Sequence, residues 1–128
     1  MVGKGAFSTV YLSYSVRSRN KPLAIKVIDM KLQGLPEIRD EIKIMKQLNS
    51  PHIVKIYDAF ISKSFLKADQ DFPSGYIVME YCGSDLMRQK HLPIESKLKL
   101  VSQLLKGLNF LHQNELYHED LKPQNILV

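Results

Sequence analysis

Apolar and polar positions alternate along Leu23-Ala24-Ile25-Lys26-Val27-Ile28, which predicts a strand entered through Pro22 after the turn-like stretch from Arg17 to Lys21. Ala24 and Lys26 then share one face, and Leu23, Ile25 and Val27 the other. A lone lysine on such a strand is expensive to bury unless an anion meets it. The period then changes. Ile38, Ile42, Met45 and Leu48 recur at spacings of four, three and three, an amphipathic helix with Pro36 in its first turn. Two further apolar runs, Ile53 to Ile61 and Tyr76 to Tyr81, predict strands, and the polar stretch Ser62 to Gly75 between them predicts a mobile loop. After Pro93, a helix over residues 94–114 carries Leu98, Val101, Leu104, Leu105, Leu108 and Leu111 as a broad apolar stripe that must face a core. Most of that core is not in this sequence.

Composition narrows the class without choosing a function. The 128 residues are one domain's worth, and 45% hydrophobic with 24% charged residues is ordinary for a globular protein. No apolar run approaches the roughly 18 residues of a membrane span, and Met-Val-Gly-Lys-Gly is no signal peptide. An intracellular place, cytoplasmic or nuclear, is expected. A single cysteine, Cys82, makes no internal disulfide. The net charge of +5 comes from 18 Lys and Arg spread among 13 acids, which predicts a solvated surface rather than a nucleic-acid site. His91 and His112 lack metal-ligand spacing and read as surface groups. Cys82 has no adjacent cation to activate it as a nucleophile.

The chemistry lies at the end of the chain, in Tyr117 to Val128 (Y-H-E-D-L-K-P-Q-N-I-L-V). Asp120 can orient and deprotonate a hydroxyl, Lys122 can neutralise charge on a transferring phosphoryl group, and the amide oxygen of Asn125 can ligate a divalent metal. At the other end, Gly3, Gly5, Ser8 and Val10 form a G-x-G-x-x-S-x-V run whose backbone can approach a polyphosphate closely. It is no dinucleotide fingerprint, because Thr9, Val10 and Tyr11 follow where a helix would have to start.

Taken together, these runs resemble the protein kinases of eukaryotic type, over nearly the whole chain and in the family's order. D-L-K-P-x-N is similar to the catalytic loop, and Lys two places after the Asp is the serine/threonine pattern. E-I-K-I-M-K, V-M-E-Y-C and D-L-K-P-Q-N-I-L-V look most like the autophagy-initiating kinases, with cyclin-dependent kinases as second neighbours. The resemblance implies an α+β fold: a small lobe over residues 1–82, a twisted antiparallel sheet with one helix, then the first helices of a large lobe over 83–128. It implies ATP and Mg²⁺ as cofactors and a protein hydroxyl as substrate. Catalytic roles fall to Asp120, Lys122, Lys26 and Glu41, the last pairing with Lys26 to aim it at the α- and β-phosphates; a plain surface glutamate is the alternative. The nucleotide would meet Val2, Gly3, Gly5, Phe7 at the loop tip, and Ser8, with Val10, Ala24 and Leu127 around adenine. Met79 would be the gatekeeper, while the Glu80 carbonyl and the Cys82 amide read the base where Gly83-Ser84 ends strand pairing. Asp85 would meet ribose hydroxyls or cap a short helix. Asn125 would bind the metal. Met45, Ile56 and His118 would belong to the stack of an assembled active state.

Two departures qualify this. Glu119 stands where the family has an arginine that grips a phosphorylated activation loop, so phosphorylation through this residue is not expected to switch the protein on. The chain also stops before a D-F-G, whose Asp holds the principal Mg²⁺, and before the rest of the large lobe. A fragment is therefore expected, with an apolar helix face left for a partner. The competing function is a non-catalytic nucleotide-binding or interaction module. A small nucleic-acid binder has only net charge behind it.

Overall fold

A computed structural model describes residues 1–5, 8–16, 21–29, 35–63, 73–89 and 91–128, without the side chains of Leu35, Glu37, Ile38, Glu41 and Lys63. The chain divides into two compact units, one formed by Met1–Asn49 with Lys55–Tyr81 and the other by Ser50–Val54 with Cys82–Val128.

The first unit is a five-stranded antiparallel sheet and one helix. The strands are β1 (Gly3–Lys4), β2 (Ser8–Tyr14), β3 (Pro22–Asp29), β4 (Ile56–Lys63) and β5 (Pro73–Glu80), in the order β1-β2-β3-β5-β4. Helix α1 (Leu35–Gln47) lies between β3 and β4 in the chain. The expected alternation on β3 is realised, because Ala24 and Ile28 are buried and Ile28 meets Ile77 in a fully buried pair. Ile42 of α1 packs against that pair together with Ile56 and Ala59, so the helix covers this face of the sheet. Burying one such isoleucine contributes about 1.5–3 kcal/mol. On the other face Phe60 and Tyr76 stack with ring centroids 5.2 Å apart.

Strand limits differ from the sequence pattern at the β4–β5 hairpin. Pairing continues to Ser62 opposite Ser74 and Lys63 opposite Pro73, inside the stretch expected to be loop. Polar residues can pair there because a ladder is made by main-chain groups. The remainder of that loop, residues 64–72, lies outside the described residues. At the other end β4 begins at Ile56 rather than Ile53, because Pro51 and its neighbours turn and Ile53 N donates to the Ser50 carbonyl at 3.2 Å.

The second unit is organised by α2 (Ile94–Gln113). Gly107 and Leu111 are its buried positions, and a Cβ on Gly107 would stand 3.2 Å from the His52 carbonyl, so the absent side chain is what lets the Ser50–Val54 segment lie against the helix. The short helix expected after Asp85 is a single 3-10 turn, Leu86–Arg88. A second turn, Pro123–Asn125, lies within the predicted catalytic loop. No described helix is long and apolar enough to cross a membrane.

Candidate active site

In the second unit the three residues picked out for phosphoryl chemistry come together. Asp120 Oδ2 lies 2.7 Å from Lys122 Nζ and accepts from Asn125 Nδ2 at 3.0 Å. The same Nδ2 donates to the Asp120 carbonyl at 2.8 Å, which fixes the amide with its oxygen as the remaining polar atom. Both donors stand on Oδ2, so Oδ1 is the oxygen left to receive a hydroxyl. Lys122 above all, with Asn125 and the charge of His118 adding to it against a smaller desolvation effect, holds the Asp120 carboxyl below its ordinary value of 3.8. The group is an anion at neutral pH. Locally the loop is built from tight turns: Asp120 N donates to His118 O at 2.7 Å around Glu119, whose φ is +58°, and Asn125 N donates to Lys122 O at 2.8 Å. Pro123 opens the 3-10 turn that carries Asn125 back to Asp120.

Asp85 caps the turn that follows it. Its Oδ1 accepts from Arg88 N at 3.1 Å and its Oδ2 lies 3.2 Å from Arg88 Nε. Leu127 bridges Asp85 through the main chain, supported by Leu86 N on Ile126 O at 2.8 Å and Val128 N on Ser84 O at 2.9 Å. Gly83, at φ +76°, lets Ser84 N reach Cys82 O at 2.9 Å. Cys82, the chain's single cysteine, is half-buried. His91, His112 and His118 are exposed.

In the first unit, Gly3, Val10, Lys26 and Ile77 face one another in successive strands, and Ala24 lies opposite Met79. Lys26 is therefore on the face that α1 covers, with Ala24 and Ile28. Glu41 is on α1, but its side chain and all of Phe7 lie outside the described residues. Val2 N donates to Val10 O and Gly5 N to Ser8 O, both at 2.8 Å, so the glycine run is a hairpin. Among the described residues, a Cβ on Gly3 would meet nothing within 4 Å, and one on Gly5 would meet Ser8 at an ordinary 3.5 Å. The residue that sequence reasoning underused is Glu80. Its backbone alone was assigned a role, yet its carboxylate accepts from Lys55 N at 2.6 Å. No sequence signal marks that contact, because it depends on where β4 starts.

A sheet with one helix on its face, joined to a long helix and a loop carrying Asp, Lys and Asn, is the architecture of a protein-kinase small lobe with part of a helical large lobe. A protein-family model described as protein kinase domain matches residues 1–128, and the chain belongs to that family. Serine/threonine-protein kinase atg1 of Dictyostelium discoideum is 38% identical over 138 aligned residues, which cover 99% of this chain and 20% of that protein. CBL-interacting serine/threonine-protein kinase 18 of Arabidopsis thaliana is 34% identical, over all of this chain and 24% of its own length. Serine/threonine-protein kinase ULK3 of Homo sapiens is 35% identical, over 99% of this chain and 27% of its own length. The chain spans between a fifth and slightly over a quarter of the length of these serine/threonine kinases.

Proposed function

We propose that the chain is the nucleotide-binding and catalytic-loop portion of an ATP-dependent kinase that transfers the γ-phosphoryl group to a serine or threonine hydroxyl of a protein. The observation that carries this reading is the Asp120 carboxylate, held on one oxygen by Lys122 and Asn125. Its other oxygen accepts the substrate hydroxyl and orients it, and its depressed pKa keeps it an acceptor at neutral pH. Lys122 shares its charge with the phosphoryl group as it moves. Lys26, paired with Glu41, holds the α- and β-phosphates, and the glycine hairpin with Val2, Gly3, Gly5, Phe7 and Ser8 approaches the triphosphate. Val10, Ala24 and Leu127 contact the base, with Met79 at its rear and the Glu80 carbonyl and Cys82 amide along its edge. Asp85, occupied by its cap, meets the ribose only by giving up Arg88.

Mg²⁺ is implied by the family, and the residues fit it in part. Asn125 presents one hard oxygen, and Mg²⁺ characteristically takes few protein ligands, keeping waters and substrate phosphates. When bound, the ion neutralises phosphate charge. Residues 1–82 then serve as the nucleotide-holding lobe and 83–128 as the start of the catalytic lobe, a division supported by the unit boundary at Tyr81. The protein substrate, and a partner on the exposed face of α2, belong to the same proposal.

Calorimetry of Mg·ATP with this chain tests the reading, with circular dichroism as the check on folding. A Kd on the order of micromolar to millimolar, the range of enzyme–substrate affinities, is expected, with loss in Lys26→Ala. A folded chain that ignores Mg·ATP overturns it. Binding without phosphoryl transfer by the full-length protein would make it the non-catalytic nucleotide-binding module.

A further inference from the structure

In an antiparallel ladder, two residues opposed as a hydrogen-bonded pair exchange both main-chain bonds, each N–H donating to the other's carbonyl. The register sets Ile56 against Met79, which makes Lys55 and Glu80 the next opposed pair. Only half of the exchange is made by main chain. Glu80 N donates to Lys55 O at 3.0 Å, but Lys55 N donates to Glu80 Oε1 at 2.6 Å. The side chain has taken the position of the residue's own carbonyl. A carboxylate wins this competition because a charge-assisted hydrogen bond is shorter and about twice as strong as a neutral one.

We infer that the Glu80 carboxylate releases the Glu80 carbonyl from the β4–β5 ladder and thereby makes Glu80 a specificity-determining residue for an aminopurine base. The inference rests on the nucleotide-binding reading above and adds to it the device that frees the acceptor. A carbonyl with no ladder donor on β4 is a main-chain acceptor in need of one, because an unpaired polar group is costly when it is covered. An exocyclic amino group supplies that donor. A purine with a carbonyl at the same place presents oxygen to oxygen and is rejected, and a site built on a hydrogen bond discriminates strongly against the wrong partner. Without the carboxylate, Lys55 N would recapture the main-chain carbonyl and the discrimination would go.

Two measurements on the uniformly labelled chain test this. Couplings across hydrogen bonds, read by NMR, should connect the Lys55 amide to the Glu80 side-chain carboxyl carbon in the native chain, and to the main-chain carbonyl carbon in Glu80→Ala. Titrations with Mg·ATP, Mg·GTP and Mg·tripolyphosphate should show Glu80→Ala weakening ATP by about tenfold and narrowing the ATP-over-GTP preference by the same factor, with tripolyphosphate unchanged. Glu80→Gln, whose amide oxygen makes only a neutral hydrogen bond, should fall between the native chain and Glu80→Ala. A native chain that binds Mg·ATP but couples Lys55 to the main-chain carbonyl sinks the role of Glu80 alone, as does a Glu80→Ala variant that keeps its preference. A native chain with the side-chain coupling that binds none of the three ligands sinks the nucleotide reading and the base assignment with it.

Discussion

Asp120 is exposed, and the Lys122 contact outweighs the desolvation that opposes it. Lys122 is the largest cause of its lowered pKa, and removing it should raise the titration midpoint. The sign follows from linkage. With the folded value below 3.8, the carboxylate's contribution to stability is present above 3.8 and is lost as pH falls through the folded value. Carbon-detected NMR of the Asp120 carboxyl should show a midpoint below 3.8 in the native chain and a higher one in Lys122→Met, with a smaller rise in Asn125→Ala. A midpoint unmoved by Lys122→Met would show that the 2.7 Å contact does not persist in solution. At this scale spacing made Asp120, Lys122 and Asn125 legible, since a loop of six residues brings them together whatever surrounds it. Glu80 was legible only as backbone, because its side-chain partner is 25 residues away and set by sheet register.

The end of α2 shows how an element stops against its own residue preferences. Glu115 N donates to His112 O and Leu116 N to Leu111 O, both at 3.0 Å, the paired bonds that close a helix through a left-handed residue. Glycine suits that position, but Glu115 holds it at φ +59° and adds a negative charge at the negative end of the helix dipole. Left-handed backbone costs a residue with a Cβ about 1–2 kcal/mol. Glu115→Gly should therefore raise the unfolding free energy by about 1 kcal/mol, read as a higher urea midpoint at unchanged slope. A midpoint that falls would mean that Glu115 has a stabilising contact outweighing its backbone cost. The helix itself was legible because its apolar period runs for five turns, while its cap was not, since no capping residue type marks it. The 3-10 turn at Leu86–Arg88 was read only as some short helix, because three residues carry no period.

For the molecule as a whole, the faces of α2 fare differently. Leu111 is 8% exposed and Gly107 is covered by His52, whereas Ile94, Leu98, Val101 and Leu105 are 68%, 64%, 50% and 59% exposed. These four recur at helical spacing and form one stripe, and a contiguous apolar stripe in water drives association. The periodicity announced the stripe, but not which half of it the Ser50–Val54 segment would cover, because that depends on a contact between segments about fifty residues apart in the sequence. Glutamate is a good helix former, so Leu98→Glu with Leu105→Glu changes the face without opposing the helix. Sedimentation velocity of the native chain should show mass rising with concentration, and the double variant should stay a monomer at concentrations about tenfold higher, with unchanged helical circular dichroism. Loss of helix in the double variant would mean that the stripe is covered in solution and belongs to a core. Equal association by both proteins would place the sticky surface elsewhere, on the sheet face that carries Phe60 and Tyr57.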